Sequence, residues 1–133
     1  MSEYTIQARK FLKENNIRFS VCYAGVKLWD ADGKHHSYYL CKFYNRNTRK
    51  SMRVGFYQSI KDMEREPTAY DVLATLQKYD VGTIDDFVAE FGYEVNSWKD
   101  VKRIEKTYKA VRREYNNVVR VFGDCMDALQ EIA

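Results

Sequence analysis

Residues 17–23 run Ile17, Arg18, Phe19, Ser20, Val21, Cys22, Tyr23, alternating apolar and polar side chains without a break. That is the period-two signature of a half-buried strand. Gly25 interrupts the alternation, and 26–29 extends the strand past a bulge. Asp30, Ala31, Asp32 and Gly33 form a strong turn signal. A second strand covers 35–44, rich in Tyr and Phe; Asn45, Arg46, Asn47 and Thr48 make the next turn, and 49–57 is a third strand. Short turns between neighbours predict an antiparallel meander. One side of that sheet collects Ile17, Phe19, Val21, Tyr39, Cys41, Phe43, Met52, Val54 and Phe56 and is the expected core face. The other side then shows Arg18, Tyr38, Lys42, Tyr44, Arg49, Arg53 and Tyr57. Ahead of the sheet, 2–13 reads as a short helix with Ile6, Phe11 and Leu12 as its apolar side, ended by Asn15 and Asn16.

Beyond residue 60 the period changes. Thr68 with Asp71, Thr83 with Asp86 and Ser97 with Asp100 each place a capping oxygen before an apolar run and an acid three residues on, as helix N-termini favour. Helices are predicted over 68–79, 84–91 and 97–122. Gly82 and Gly92 are the natural stops of the first two, and a short last helix follows Gly123 over 124–132. In the long helix Val101, Ile104, Tyr108, Val111, Tyr115, Val118 and Phe122 step by three and four, one apolar stripe. The same arithmetic sets Lys102, Lys106, Lys109, Arg113 and Arg120 on the opposite side as a basic ridge. The reading is one α+β domain, 1–133. An N-terminal helix and three-stranded antiparallel meander (1–60) precede a helical half (61–133) with one long amphipathic helix.

Composition supports a folded chain. Of 133 residues 45% are hydrophobic, and eleven are Tyr, enough to fill a core and leave Tyr for a surface. One Pro and six Gly exclude collagen-like and low-complexity classes. The net charge of +3 hides a split: residues 1–60 carry eleven Lys/Arg against four Asp/Glu, and 61–133 carry eleven against fifteen. Within the second half, 62–94 holds nine acids and two bases, whereas 99–120 holds eight bases and three acids. Such blocks speak to partners rather than fold. No apolar run approaches the roughly 18 residues of a membrane span, and residues 1–11 lack the apolar segment of a signal peptide, so a cytoplasmic protein is expected. Cys22, Cys41 and Cys125 form no paired motif and are expected to be free, mostly buried thiols.

The candidate chemistry is that of binding. The ridge of Lys102, Lys106, Lys109, Arg113 and Arg120 suits phosphates or an acidic protein, against the alternative of a solvated helix face. Tyr38, Tyr44 and Tyr57 interleaved with Lys42, Arg49 and Arg53 suit base stacking with phosphate contact, or a protein hot spot, unless a helix covers that side. In the acidic block, Asp71 and Asp86 are accounted for by capping, while Asp85, Glu90 and Glu94 are free to meet a basic partner or mimic nucleic acid. The order helix–strand–strand–strand–helix is loosely that of a double-stranded-RNA-binding domain. Such domains begin the following helix with lysines, whereas Met63, Glu64, Arg65, Glu66, Pro67 and Thr68 stand here, so that function is not carried over. Only His35 and His36 offer classical bases; as strand neighbours they point to opposite faces and cannot share a metal. No nucleophile elbow or phosphate-binding loop occurs. No enzyme activity, cofactor or metal is expected.

The run from Glu66, Pro67, Thr68, Ala69, Tyr70, Asp71, Val72, Leu73 through Lys78, Tyr79, Asp80 resembles a family of small phage and prophage proteins. So do Asp86 and Phe87 with Glu90, Phe91, Gly92, Tyr93, and Lys106, Thr107, Tyr108, Lys109, Ala110, Val111. The likeness covers about residues 55–123. It implies no catalytic residue. It implies a context in which small proteins block host defences, including CRISPR nucleases. On that basis a non-enzymatic anti-CRISPR protein is expected, binding a CRISPR effector or other host defence ribonucleoprotein in the host cytoplasm, with direct nucleic-acid contact as part of the block. The alternative is a nucleic-acid-binding accessory protein of phage replication or recombination.

Overall fold

Ser2 opens the first helix, α1 (Glu3–Glu14), by accepting the Thr5 N–H on its hydroxyl at 3.2 Å. The helix ends where Asn15 donates its side-chain amide to the Phe11 carbonyl (2.9 Å) and Asn16 turns to φ 59°. Asn is among the few residues that tolerate this left-handed region. The chain enters β1 (Ile17–Trp29) and returns through β2 (Lys34–Asn45) and β3 (Ser51–Gln58). The three strands form an antiparallel sheet in the order β1-β2-β3. These features belong to a computed structural model that describes residues 2–29, 33–58 and 65–132. The turn expected at Asp30, Ala31 and Asp32 lies outside the described residues, as do Asp62, Met63 and Glu64.

Two departures from the expected sheet have local causes. Arg49 belongs to the β2–β3 turn rather than to a strand, with φ 63°, so its side chain does not join the outer face of β3. The turn is organised by Asn45, whose carboxamide oxygen accepts the N–H groups of Asn47 (3.0 Å) and Thr48 (3.3 Å). The second departure is a bulge between Tyr23 and Val26, where Gly25 adopts φ 93°. Before it, Cys22 stands opposite Leu40; after it, Lys27 stands opposite His36. One extra residue therefore exchanges the parity of β1: even residues face outward up to Cys22, odd residues from Lys27 on.

The helical half follows as α2 (Ala69–Gln77), α3 (Ile84–Phe91), α4 (Trp98–Phe122), a turn of 3₁₀ helix over Gly123–Cys125, and α5 (Met126–Gln130). Thr68 and Asp71 form a full reciprocal capping box, at 3.2 and 2.9 Å. Thr83 and Ser97 cap only in one direction, and the Asp100 carboxylate turns instead to the Asn96 N–H (3.2 Å). Gly92 ends α3 in the left-handed conformation, φ 66°. Gly82 is not the stop of α2: that helix ends at Gln77 with Lys78 as its cap, and Gly82 lies in the connection to α3.

All helices that reach the sheet pack on its odd-numbered β2 face. Tyr39, Cys41 and Phe43 meet Phe11 and Leu12 of α1, Leu73 and Leu76 of α2, and Val118 and Phe122 of α4 in one buried cluster. Phe43 is fully buried, its ring 5.3 Å from that of Phe122 and 5.0 Å from that of Phe19. Burying a side chain of this size contributes about 1.5–3 kcal/mol. Ile6 is not part of this cluster; α1 is rotated so that Thr5 and Ala8 face inward and Ile6 is exposed. The N-terminal half of α4 leaves the sheet and builds a second, smaller cluster from Val81, Phe87 and Ile104, with Tyr108 and Val111 against it. A 25-residue helix is about 37 Å long, so α4 is the beam joining the two clusters.

Candidate binding face of the sheet

With the helices gathered on one side, the other side of the sheet has no described helix over it. Arg18, Ser20, Cys22, Leu40 and Arg53 are exposed there, and Lys42, Tyr44, Tyr38 and Tyr57 are half-buried among their neighbours. The register sets these residues in rows. Arg18, Tyr44 and Ser51 form one, Ser20, Lys42 and Arg53 the next, then Cys22, Leu40 and Gly55, and finally Tyr38 beside Tyr57. At the first two rows lies a shallow hollow of about 400 Å3 lined by Arg18, Ser20, Lys42 and Tyr44. Its lining offers two cations and two hydroxyls. The Lys42 ammonium also stands over the Tyr44 ring, 6.0 Å from its centroid.

The far end of the face is aromatic. The Tyr38 and Tyr57 rings are 4.6 Å apart, and Trp29 stacks on Tyr57 at 5.7 Å with an interplanar angle of 11°. His36 meets Trp29 edge-on at 5.5 Å, and the Lys27 ammonium sits 4.5 Å from the centre of the Tyr38 ring. Burial raises the Tyr38 phenol above its ordinary value, and Tyr57 adds to the rise, so Tyr38 stays a neutral hydroxyl at physiological pH. Lys27, Trp29 and His36 were not among the sequence candidates. His36 follows from the alternation of β2, while the signal for Lys27 and Trp29 was Gly25: continuing the alternation with one residue inserted moves both outward. Across β1, β2 and β3 there is no Asp or Glu at all, while Arg18, Lys27, Lys34, Lys42 and Arg53 supply five cations.

The other candidates are dispersed. Arg49, in the turn, lies beyond the end of β3 with Arg46 and Lys50. Lys102, Lys106, Lys109, Arg113 and Arg120 are all exposed along α4, as the helical arithmetic requires. Arg120, however, is committed to the fold: it donates to the Ser51 carbonyl on the edge of β3 at 2.6 Å and to Asn117 at 3.4 Å. Arg112 likewise binds the Val81 carbonyl (3.0 Å), and Arg103 pairs with Asp100 at 3.7 Å. In the acidic segment, Asp80, Asp86 and Glu90 line an open cleft between α2 and α3 together with Lys78, while Asp85 and Glu94 are exposed outside it. Glu114, on the buried flank of α4, has a carboxylate oxygen shut off from solvent without a hydrogen-bond partner. Burial raises its carboxyl above the ordinary 4.5.

Of the three free thiols, Cys41 and Cys125 are buried and Cys22 is exposed, in the middle of the outer face. Burial pushes the Cys41 thiol up to about 12, and burial with Asp124 nearby raises that of Cys125. His35 and His36 do point to opposite faces, His36 placing Nδ1 3.1 Å from the Gln58 carbonyl. Among the described residues no group of three His, Cys, Asp or Glu side chains converges as a metal would require, and no described helix is long and apolar enough to cross a membrane. Comparison with protein-family models, with curated proteins and with solved structures gives no match.

Proposed function

We propose that the chain is a phage-encoded, non-enzymatic inhibitor of a host defence system, an anti-CRISPR protein that binds a CRISPR effector and keeps it from engaging nucleic acid. One observation carries the reading. The open side of the sheet is a broad surface of Tyr, Trp, Arg and Lys with no acid among its described strand residues, backed by a core on its other side. Tyr, Trp and Arg are the residues on which binding energy concentrates, and a rigid scaffold spares the partner surface an ordering cost. The resemblance of the helical half to small phage proteins supplies the setting. Occupying an effector surface needs shape and charge but no catalytic group, and the exposed Arg18 and Arg53 beside Lys42 favour a partner surface that is acidic or phosphate-rich.

The test is a reconstituted effector assay. Wild-type protein in excess should block target binding. Replacing Lys42→Glu with Arg53→Glu should weaken the block about tenfold or more, as loss of a hot-spot pair does. Reversing Lys102, Lys106, Lys109 and Arg113 should weaken it far less. An effector that is untouched by the wild-type protein overturns the reading. A pull-down from host lysate, with and without nuclease, identifies the target: a discrete protein complex that survives nuclease is the expected outcome. Heterogeneous nucleic acid that vanishes on nuclease treatment, with no discrete protein retained, would instead point to an accessory protein of phage replication or recombination.

A further inference from the structure

We infer that the outer face of the sheet takes a single strand of nucleic acid, with phosphates in the hollow at its basic end and an unstacked base against the aromatic cluster at the other. The inference rests on reading this face as the partner surface, and it names the partner's chemistry. The hollow of Arg18, Ser20, Lys42 and Tyr44 presents charge and hydroxyl donors with no carboxylate to repel a phosphate, and Arg53 stands beside Lys42 in the same row. Four residues along β2 separate Lys42 from Tyr38, about 13 Å. Between them Cys22 and Leu40 are exposed and the Tyr38 ring lies over Gly55, so a crossing strand passes over an apolar row. At the far end the exposed Trp29, stacked on Tyr57, offers π surface, with Lys27 adding charge over Tyr38.

The pairing of these two ends selects the single strand. A duplex would satisfy the cations but hides its base faces from the aromatic rings. An unpaired strand uses both, and stacking tolerates any base. A protein partner would have to bring acids to the basic end and rings to the aromatic end on separate side chains, whereas a strand supplies phosphate and base in every nucleotide. The basic ridge of α4 carries the exposed Trp98 at its N-terminal end but no stacked ring cluster, so it offers chiefly phosphate contact.

Cys22 makes the face directly readable, since it is the exposed thiol at the centre of the face and the other two are buried. The experiment uses labelled mixed-sequence RNA and DNA strands on the order of ten nucleotides, and the matching duplexes. It measures binding by fluorescence anisotropy across salt concentration and the rate of Cys22 alkylation by iodoacetamide with and without each strand. The expected result is single-strand binding about tenfold tighter than duplex binding, with alkylation of Cys22 slowed by the bound strand. Lys42→Glu with Arg53→Glu should weaken binding and flatten the slope of log K against log salt by about 1.4, while Tyr57→Ala weakens binding at unchanged slope. No binding, equal duplex binding, or binding that leaves Cys22 alkylation at its free rate overturns the inference. If a variant fails to fold, Cys22 protection in the wild-type protein still decides. An effector block that persists in a protein that does not bind the strand overturns this inference and leaves the inhibitor reading standing; strand binding without any effector block does the reverse.

Discussion

The Tyr38 ring lies across Gly55 on the neighbouring strand, so closely that a Cβ at position 55 would overlap the ring and its hydroxyl. Tyr38 is diagonal to Gly55 in the register and is held over it by Tyr57 on one side and Lys27 on the other. An aromatic ring laid over a strand glycine covers backbone that would otherwise be bare. Gly55→Ala must therefore lift Tyr38 from its place, at a cost of about 1 kcal/mol in lost ring contact. In a double-mutant cycle by chemical denaturation, the same substitution made in Tyr38→Ala should cost clearly less. Equal cost in both backgrounds would show that the ring and the glycine are not coupled.

Asn45 is expected to be the least replaceable polar residue of the fold. It is buried, its carboxamide oxygen holds the β2–β3 turn, and its amide donates to the Val121 carbonyl near the end of α4 at 2.9 Å. Asn45→Ala removes all of these bonds and strands the carbonyl of the buried Val121, a loss of about 3 kcal/mol measured by urea unfolding. Asn45→Asp keeps the turn acceptor but sets a buried carboxylate against the Val121 carbonyl, so at neutral pH it should cost at least as much as Asn45→Ala and regain part of the loss in acid, where the protonated acid donates.

Glu114 should make stability fall as pH rises. Burial raises its folded-state pKa above the unfolded 4.5, so its contribution is fully present below 4.5 and is lost as pH climbs through the raised value. Its charge also bears on the Tyr79 phenol, which burial and Glu114 together hold above its ordinary value. Glu114→Gln removes the titration. Its Tm should exceed that of wild type at neutral pH and converge with it near about pH 4, as differential scanning calorimetry would record.

Thiol chemistry should divide the cysteines one against two. Native protein should alkylate at Cys22 alone, because the thiolate is the reactive form and Cys41 and Cys125 are both buried and raised in pKa. Mass spectrometry should find one fast site in the native protein, none in Cys22→Ser, and all three in the unfolded wild type. Fast modification of Cys41 in the native state would contradict the packing of the sheet against the helices.

Much of this architecture is written in short-range pattern. The strict alternation of 17–23 and the three-four stepping of α4 are local periodicities, and both elements stand where those periods put them. The caps at Thr68, Thr83 and Ser97 are equally local. What the pattern misses is set at longer range. Ile6 is apolar yet exposed, because the rotation of α1 is decided by the sheet beneath it rather than by its own sequence. Arg49 looks like a strand residue until Asn45 claims the preceding N–H groups for the turn. Arg120 fits the basic ridge by angle, but only the tertiary fold brings the Ser51 carbonyl within its reach. The candidate face was half legible: Tyr38, Lys42, Tyr44, Arg53 and Tyr57 follow from alternation, whereas Lys27 and Trp29 require the bulge to be counted through.

That bulge makes the chemistry of the distal sheet a matter of one residue's backbone rather than of side-chain choice. Deleting one residue between Tyr23 and Val26 would remove the bulge and leave Lys27 and Trp29 outward, since the strand beyond keeps its register with β2. Losing the bulge at unchanged chain length would instead turn Val26 and Leu28 outward where Lys27 and Trp29 now stand. A side chain at Gly25, whose φ of 93° suits glycine, presses the strand toward that flat register. The same residues would then present a greasy aliphatic surface in place of a cationic, ring-stacking one.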